Sequence, residues 1–206
     1  MLAKARRPAI LAALVAVMVA IAIPSPGQVV AQDAYQLNYF SNNATPGTVT
    51  GPTQGSDQTV RIMNTGQSGD PMDAATHHGR VCASIYVFAA DQQMEECCSC
   101  PITANGLITL SLREQLTSNA LTGVPPPEGV IKILADAGCD ATVITQLVEG
   151  GLRAWGTHLQ ANGAVTETQF QVAPLQDLEA GFLGMACSFV QYLGSGRGRC
   201  SCGPAR

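Results

Sequence analysis

Eight cysteines, all lying between positions 82 and 202, constrain this chain of 206 residues more than any other feature. They are Cys82, Cys97, Cys98, Cys100, Cys139, Cys187, Cys200 and Cys202, an even number. In an oxidising compartment such a set reads as a disulfide framework with about a hundred possible pairings. Two clusters stand out, Cys97-Cys98-Ser99-Cys100 and Cys200-Ser201-Cys202. Adjacent cysteines seldom bond to each other, because the peptide between them would have to distort, so Cys97 and Cys98 are expected to take different partners. The C-terminal pair is expected to reach back to the 97–100 cluster and tie the chain end to the body. Each such bridge closes about 100 residues, which is ~4–5 kcal/mol on the chain-entropy argument. The clustered thiols, with His77 and His78, also suggest zinc or copper, but the spacing is not the paired C-x₂-C of structural zinc sites. No metal and no cofactor is therefore expected.

The compartment follows from the first thirty residues. Lys4, Arg6 and Arg7 precede an apolar run over 9–23, and Val29-Val30-Ala31 supplies small residues before Gln32. A charged start, an apolar middle and a small-residue end make a secretory signal peptide, with cleavage expected after Ala31. The run is too short for the roughly 20 residues of a spanning helix. Arg6-Arg7 hints at twin-arginine export, but Pro8 follows and no Ser or Thr precedes the pair. A secreted or periplasmic protein is expected, with no membrane span left after processing. Losing residues 1–31 removes three cations and no acid, so the formal charge of −4 becomes −7, and Lys132 is the one lysine left. A surface so acidic does not suit nucleic acid or anionic lipid.

Charged residues are 13% and hydrophobic ones 46% of the chain, a folding rather than a disordered composition. Residues 32–58 read as a first strand (33–40) followed by a polar linker. Residues 59–206 read as a disulfide-rich β domain. Short strands are expected over 59–63, 82–90, 107–112 and 130–134, and a hairpin over 152–160 and 165–172 turning at Asn162-Gly163. The run from Cys82 to Ala90 is apolar on both faces, which suits a central strand covered on both sides. Asp91 to Glu96 reads as a helical turn, with Glu95 and Glu96 solvated, and 140–149 is ambiguous between helix and strand. After Pro174, Leu175, Leu178, Phe182, Met185, Phe189 and Tyr192 recur at three and four, an amphipathic helix ending near Gly194, its stripe expected to face the core. The fold expected is mainly β: an antiparallel β-sandwich of about seven short strands with one C-terminal amphipathic helix at an end or edge, stapled by disulfides.

Several blocks resemble a family of secreted, cysteine-rich bacterial proteins. They are Cys82-Ala83-Ser84-Ile85-Tyr86-Val87-Phe88, Glu96-Cys97-Cys98-Ser99-Cys100-Pro101, Leu152-Arg153-Ala154-Trp155-Gly156-Thr157-His158 and Leu193-Gly194-Ser195-Gly196 with Cys200-Ser201-Cys202. Asn105-Gly106-Leu107 and Leu116-Thr117-Ser118-Asn119 add to these, and the resemblance spans roughly residues 58–202. It implies bacterial export and one coherent domain. The family has no established activity, so the resemblance assigns no catalytic residue.

A search for chemistry finds little. Gly66-Gln67-Ser68-Gly69-Asp70 is not a serine-hydrolase elbow, because Asp70 replaces the last glycine and Pro71 follows. Gly194-Ser195-Gly196-Arg197-Gly198 follows a helix instead of opening one, the wrong side for a phosphate loop. In the alternation of 152–160, Trp155 is expected inward as a core anchor, with His158 on the opposite face. The sequence points to an exported, non-catalytic module with a binding or structural role and an unidentified protein or glycan ligand. The alternatives are an exported enzyme built from Asp73, His77, His78 and His158, and a thiol redox or metal-handling protein using the cysteine clusters.

Overall fold

The computed structural model describes residues 33–42, 58–67, 79–159 and 164–203. Among the described residues, nine strands form two antiparallel sheets, followed by one helix near the C-terminus. The strands are β1 (Tyr35–Ser41), β2 (Thr59–Asn64), β3 (Val81–Ala89), β4 (Met94–Ile102), β5 (Leu107–Ser111), β6 (Glu128–Asp136), β7 (Leu152–Leu159), β8 (Val165–Gln169) and β9 (Gln171–Val172), and the helix is α1 (Asp177–Leu193). A π-helical turn, Leu112–Leu116, follows β5 and is capped by Ser111, whose hydroxyl accepts from the Glu114 N–H. The first sheet has the order β4-β3-β6-β1-β9 and the second β5-β2-β7-β8.

The sandwich follows from strand alternation. From β3, Ala83, Ile85 and Val87 point into a core shared with Val60, Ile62, Leu110, Leu152 and Ala154 of the second sheet. Tyr86 and Phe88, one residue out of phase, point to the other face, where Leu183, Cys187 and Val190 of α1 cover them. β3 is thus a central strand buried on both faces, as its apolar pattern predicts. The described residues form three layers: sheet, sheet, helix. The helix lies on the outer face of the first sheet, over its β4 edge, in keeping with the expected place at an edge. Phe170 joins β8 to β9 and carries the chain from one sheet to the other, with its ring in the inter-sheet core.

Three local expectations need correcting. The segment approaching the cysteine cluster is strand β4, not a helical turn. It pairs along β3 from Val81↔Ile102 to Phe88↔Met94 with a bulge near Val87. Met-Glu-Glu-Cys-Cys-Ser-Cys-Pro-Ile has few β-branched residues, so intrinsic preference does not announce a strand; pairing with β3 and the sulfur bridges impose it. Second, Trp155 is on the outer face of the second sheet and only half-buried, opposite Arg61 and Gln169. The inward face of β7 is Leu152, Ala154, Gly156 and His158. Third, the sequence predicts one strand over 165–172, which divides at Phe170. The Asn162-Gly163 turn lies outside the described residues. Segment 140–149 is neither helix nor strand: its one ladder contact is a bridge from Leu147 to Asp136.

Candidate functional site

The eight cysteines make four disulfides: Cys82–Cys139, Cys97–Cys187, Cys98–Cys200 and Cys100–Cys202. Strand alternation explains why Cys97 and Cys98 part company. Cys97 points to the helix side and clamps α1, while Cys98 and Cys100 point to the other face and hold the C-terminal tail. The tail runs beside β4, the edge strand. The Cys97 N–H donates to the Gly198 carbonyl, the Ser201 N–H to the Gln115 carbonyl, and Cys97 forms a parallel bridge with Arg199. The tail therefore covers a sheet edge that would otherwise offer unpaired backbone groups. The Cys98, Cys100 and Cys202 sulfurs lie within 4.8 Å of one another, but each is bonded to another sulfur and offers no thiolate to a metal.

Glu95 and Glu96 are buried in β4 instead of solvated on a turn. The Glu95 carboxylate accepts from the N–H and hydroxyl of Thr122 at 3.3 and 3.2 Å. Glu96 Oε1 accepts from the Asn119 N–H at 2.7 Å, while its Oε2 has no hydrogen-bond partner. Burial pushes the Glu96 carboxyl up to about 7; the Asn119 N–H opposes this and the neighbouring Glu95 charge adds to it. Together the two carboxyls pin segment 119–122 against β4.

His158 is buried on the core face of β7. Its ring stacks on Tyr39 with centroids 4.3 Å apart, and its Nε2 lies 2.8 Å from the Thr168 hydroxyl, which also accepts from the Asn38 amide. Nδ1 has no hydrogen-bond partner, and burial lowers the imidazole's pKa, so the ring is neutral at physiological pH. A shallow cleft lined by Tyr39, Thr59, Thr157 and Phe170 opens beside it. The other members of the enzyme alternative, Asp73, His77 and His78, lie outside the described residues, as does most of Gly66–Asp70.

The largest departure from expectation is the orientation of α1. Its buried side consists of Leu183, Gly184, Cys187 and Val190. The large apolar residues face out: Leu178 is 87% exposed, Phe182 43%, Met185 68%, Phe189 55% and Tyr192 85%. This is the stripe that periodicity assigns to the core. Two local constraints outweigh its size. The Cys97–Cys187 bond fixes which side meets β4. Gly184 allows a close approach to the 140–149 segment, where a side-chain carbon would sit 2.7 Å from the Thr142 carbonyl oxygen. Gly198 packs more closely still on Val190, where a side-chain carbon would sit 2.0 Å from Cγ1. Phe182 is partly covered by Phe88, whose ring also lies 4.8 Å from the Lys132 ammonium, itself paired with Glu179. Cys187 and Gly184 in one face were the available signal, and it was weaker than the aromatic stripe. Among the described residues no helix is long and apolar enough to cross a membrane.

No family model matches the sequence, and no curated protein matches it. Among solved structures, the chain is similar to the Anabaena sensory rhodopsin transducer, at 13% identity over 65% of this chain and 94% of that one, with a TM-score of 0.34. At that score the likeness carries no argument about fold or function.

Proposed function

We propose that this is an exported bacterial module, processed after Ala31 and locked by disulfides. It works by docking through the apolar face of α1, in a binding or structural role and without catalysis. The single observation that supports this most is the exposure of Leu178, Phe182, Met185, Phe189 and Tyr192 on one helix face. Contiguous apolar surface of several hundred Å² marks interaction sites on folded proteins. The disulfides agree with an oxidising compartment and hold the helix by its inner side. The blocks that resemble secreted cysteine-rich bacterial proteins, and the charged-apolar-small pattern of residues 1–31, support export.

The test uses the full chain in a bacterial host with a periplasm, carrying a benzophenone side chain at position 189 or, as control, at Val165, exposed on β8 of the other sheet. The expected result is extracytoplasmic protein beginning at Gln32, with a discrete protein adduct after irradiation from position 189 and none from 165. Retention in the cytoplasm, or equal and diffuse labelling from both positions, contradicts the reading.

A further inference from the structure

The exposed stripe of α1 has a spacing more specific than exposure alone. Leu178, Phe182, Met185, Phe189 and Tyr192 step by four, three, four and three, the 3.5-residue average of a helix–helix seam. The seam is nearly symmetric about Met185: an aromatic ring lies three residues before it and four after, and a large apolar side chain lies seven residues away on each side. From residue 180 to residue 193 the helix has no charged side chain.

We propose that the occupant of this face is a second copy of the chain. The two α1 helices would cross antiparallel about a twofold axis at Met185, with Phe182 meeting the partner's Phe189 and Leu178 meeting the partner's Tyr192. This rests on the docking reading of α1 and names its partner. Area supports it. At roughly 200 Å² per large side chain, the fractional exposures of these five residues leave on the order of 700 Å² on one copy. Two copies would bury about 1,400 Å², within the range of stable, specific interfaces. Charge supports the antiparallel sense. A parallel pair would set two exposed Asp177 carboxylates side by side, whereas the antiparallel pair sends them to opposite ends. There each approaches the end of the partner helix beyond which exposed Arg197 lies. A self-complementary patch is what a twofold dimer requires. A lipid surface fits worse: helices that lie in membrane interfaces carry Lys and Arg on the polar face, and α1 has neither.

Sedimentation velocity on the mature, oxidised chain tests the inference. The expected result is a concentration-dependent monomer–dimer equilibrium. Met185→Glu should raise the dimer dissociation constant at least ~100-fold, because it brings two like charges together at the twofold axis, while leaving the circular dichroism and the melting temperature of the dilute monomer unchanged. Benzophenone at position 178 should give a covalent dimer whose adduct maps to residues 189–193 of the other copy. Adducts to residue 178 itself would overturn the antiparallel geometry. A monomer at every concentration up to several hundred micromolar, or a dimer unaffected by Met185→Glu, overturns the inference. So does a monomer that binds vesicles of anionic lipid through this face. A monomer whose position 189 cross-links to a different protein in the host sinks self-association and leaves the docking reading standing, whereas failure of both sinks the docking reading too.

Discussion

Removing Cys82–Cys139 by two alanine substitutions is expected to cost about 4 kcal/mol, and removing Cys100–Cys202 only about 2. The sequence separations, 57 and 102, would suggest the reverse order. The reason is that the entropy a bridge removes depends on the loop still open when it closes. Cys98–Cys200 already joins the chain two residues away on each side of Cys100–Cys202, so the last bridge closes a loop of about four residues. Cys82–Cys139 crosses no other short circuit and keeps its full loop. The same logic makes Cys98–Cys200 redundant with Cys100–Cys202, whereas Cys97–Cys187 beside Cys98–Cys200 closes a loop of roughly a dozen residues, ~3 kcal/mol. Equilibrium urea unfolding of the two double variants without reductant gives the ranking. Equal costs, or a larger cost for Cys100 and Cys202, would show that the tail bridge acts by something other than chain entropy.

The second large effect is pH dependence through Glu96. Its carboxyl ionises near the ordinary 4.5 in the unfolded chain and near 7 in the folded protein. Between those values the native state holds a proton that the unfolded state has lost. The contribution to stability is therefore full below about pH 4.5, falls as pH rises, and is lost above about pH 7, amounting to on the order of 3 kcal/mol. Glu96→Gln keeps an oxygen for the Asn119 N–H and cannot ionise, so it imitates the protonated form. Burial of neutral His158 makes stability rise with pH in both proteins, so the difference between them isolates Glu96: from pH 5 to pH 8 the wild type should lose stability relative to the variant, which should be the more stable protein at pH 8. A difference between wild type and variant that does not change over that interval would mean that Glu96 is ionised in the fold and has a partner for Oε2.

The legible parts of the molecule are those where side-chain pattern and burial agree. β3 reads as central because both of its faces are apolar, and Ala83-Ile85-Val87 and Tyr86-Phe88 go to two different cores. The opposite destinations of Cys97 and Cys98 follow from strained adjacency in sequence terms and from strand alternation in structural terms. The illegible parts are those where a long-range contact overrides local pattern. Nothing local says that Met94 to Ile102 is a strand, because its ladder is written in β3. Trp155 looks like an anchor by size, yet its own strand fills the core with Leu152 and Ala154 and leaves the indole beside Arg61. His158 looks like a surface residue until Tyr39, more than a hundred positions earlier, stacks on it.

α1 is the sharpest case. Amphipathicity identified the helix and inverted its faces, because a bond from Cys187 to β4 and a close approach at Gly184 decide the rotation. That inversion creates the docking face, so the orientation of α1 is the claim on which the functional account stands. Limited oxidation by dilute peroxide measures it directly, since a thioether reacts according to its exposure. Met185 is 68% exposed and Met94 5%. In dilute, folded protein, Met185 should convert to the sulfoxide at close to the rate of a free peptide, with Met94 protected until the protein unfolds. A protected Met185 in the dilute monomer would place the apolar stripe against the sheet and contradict the account.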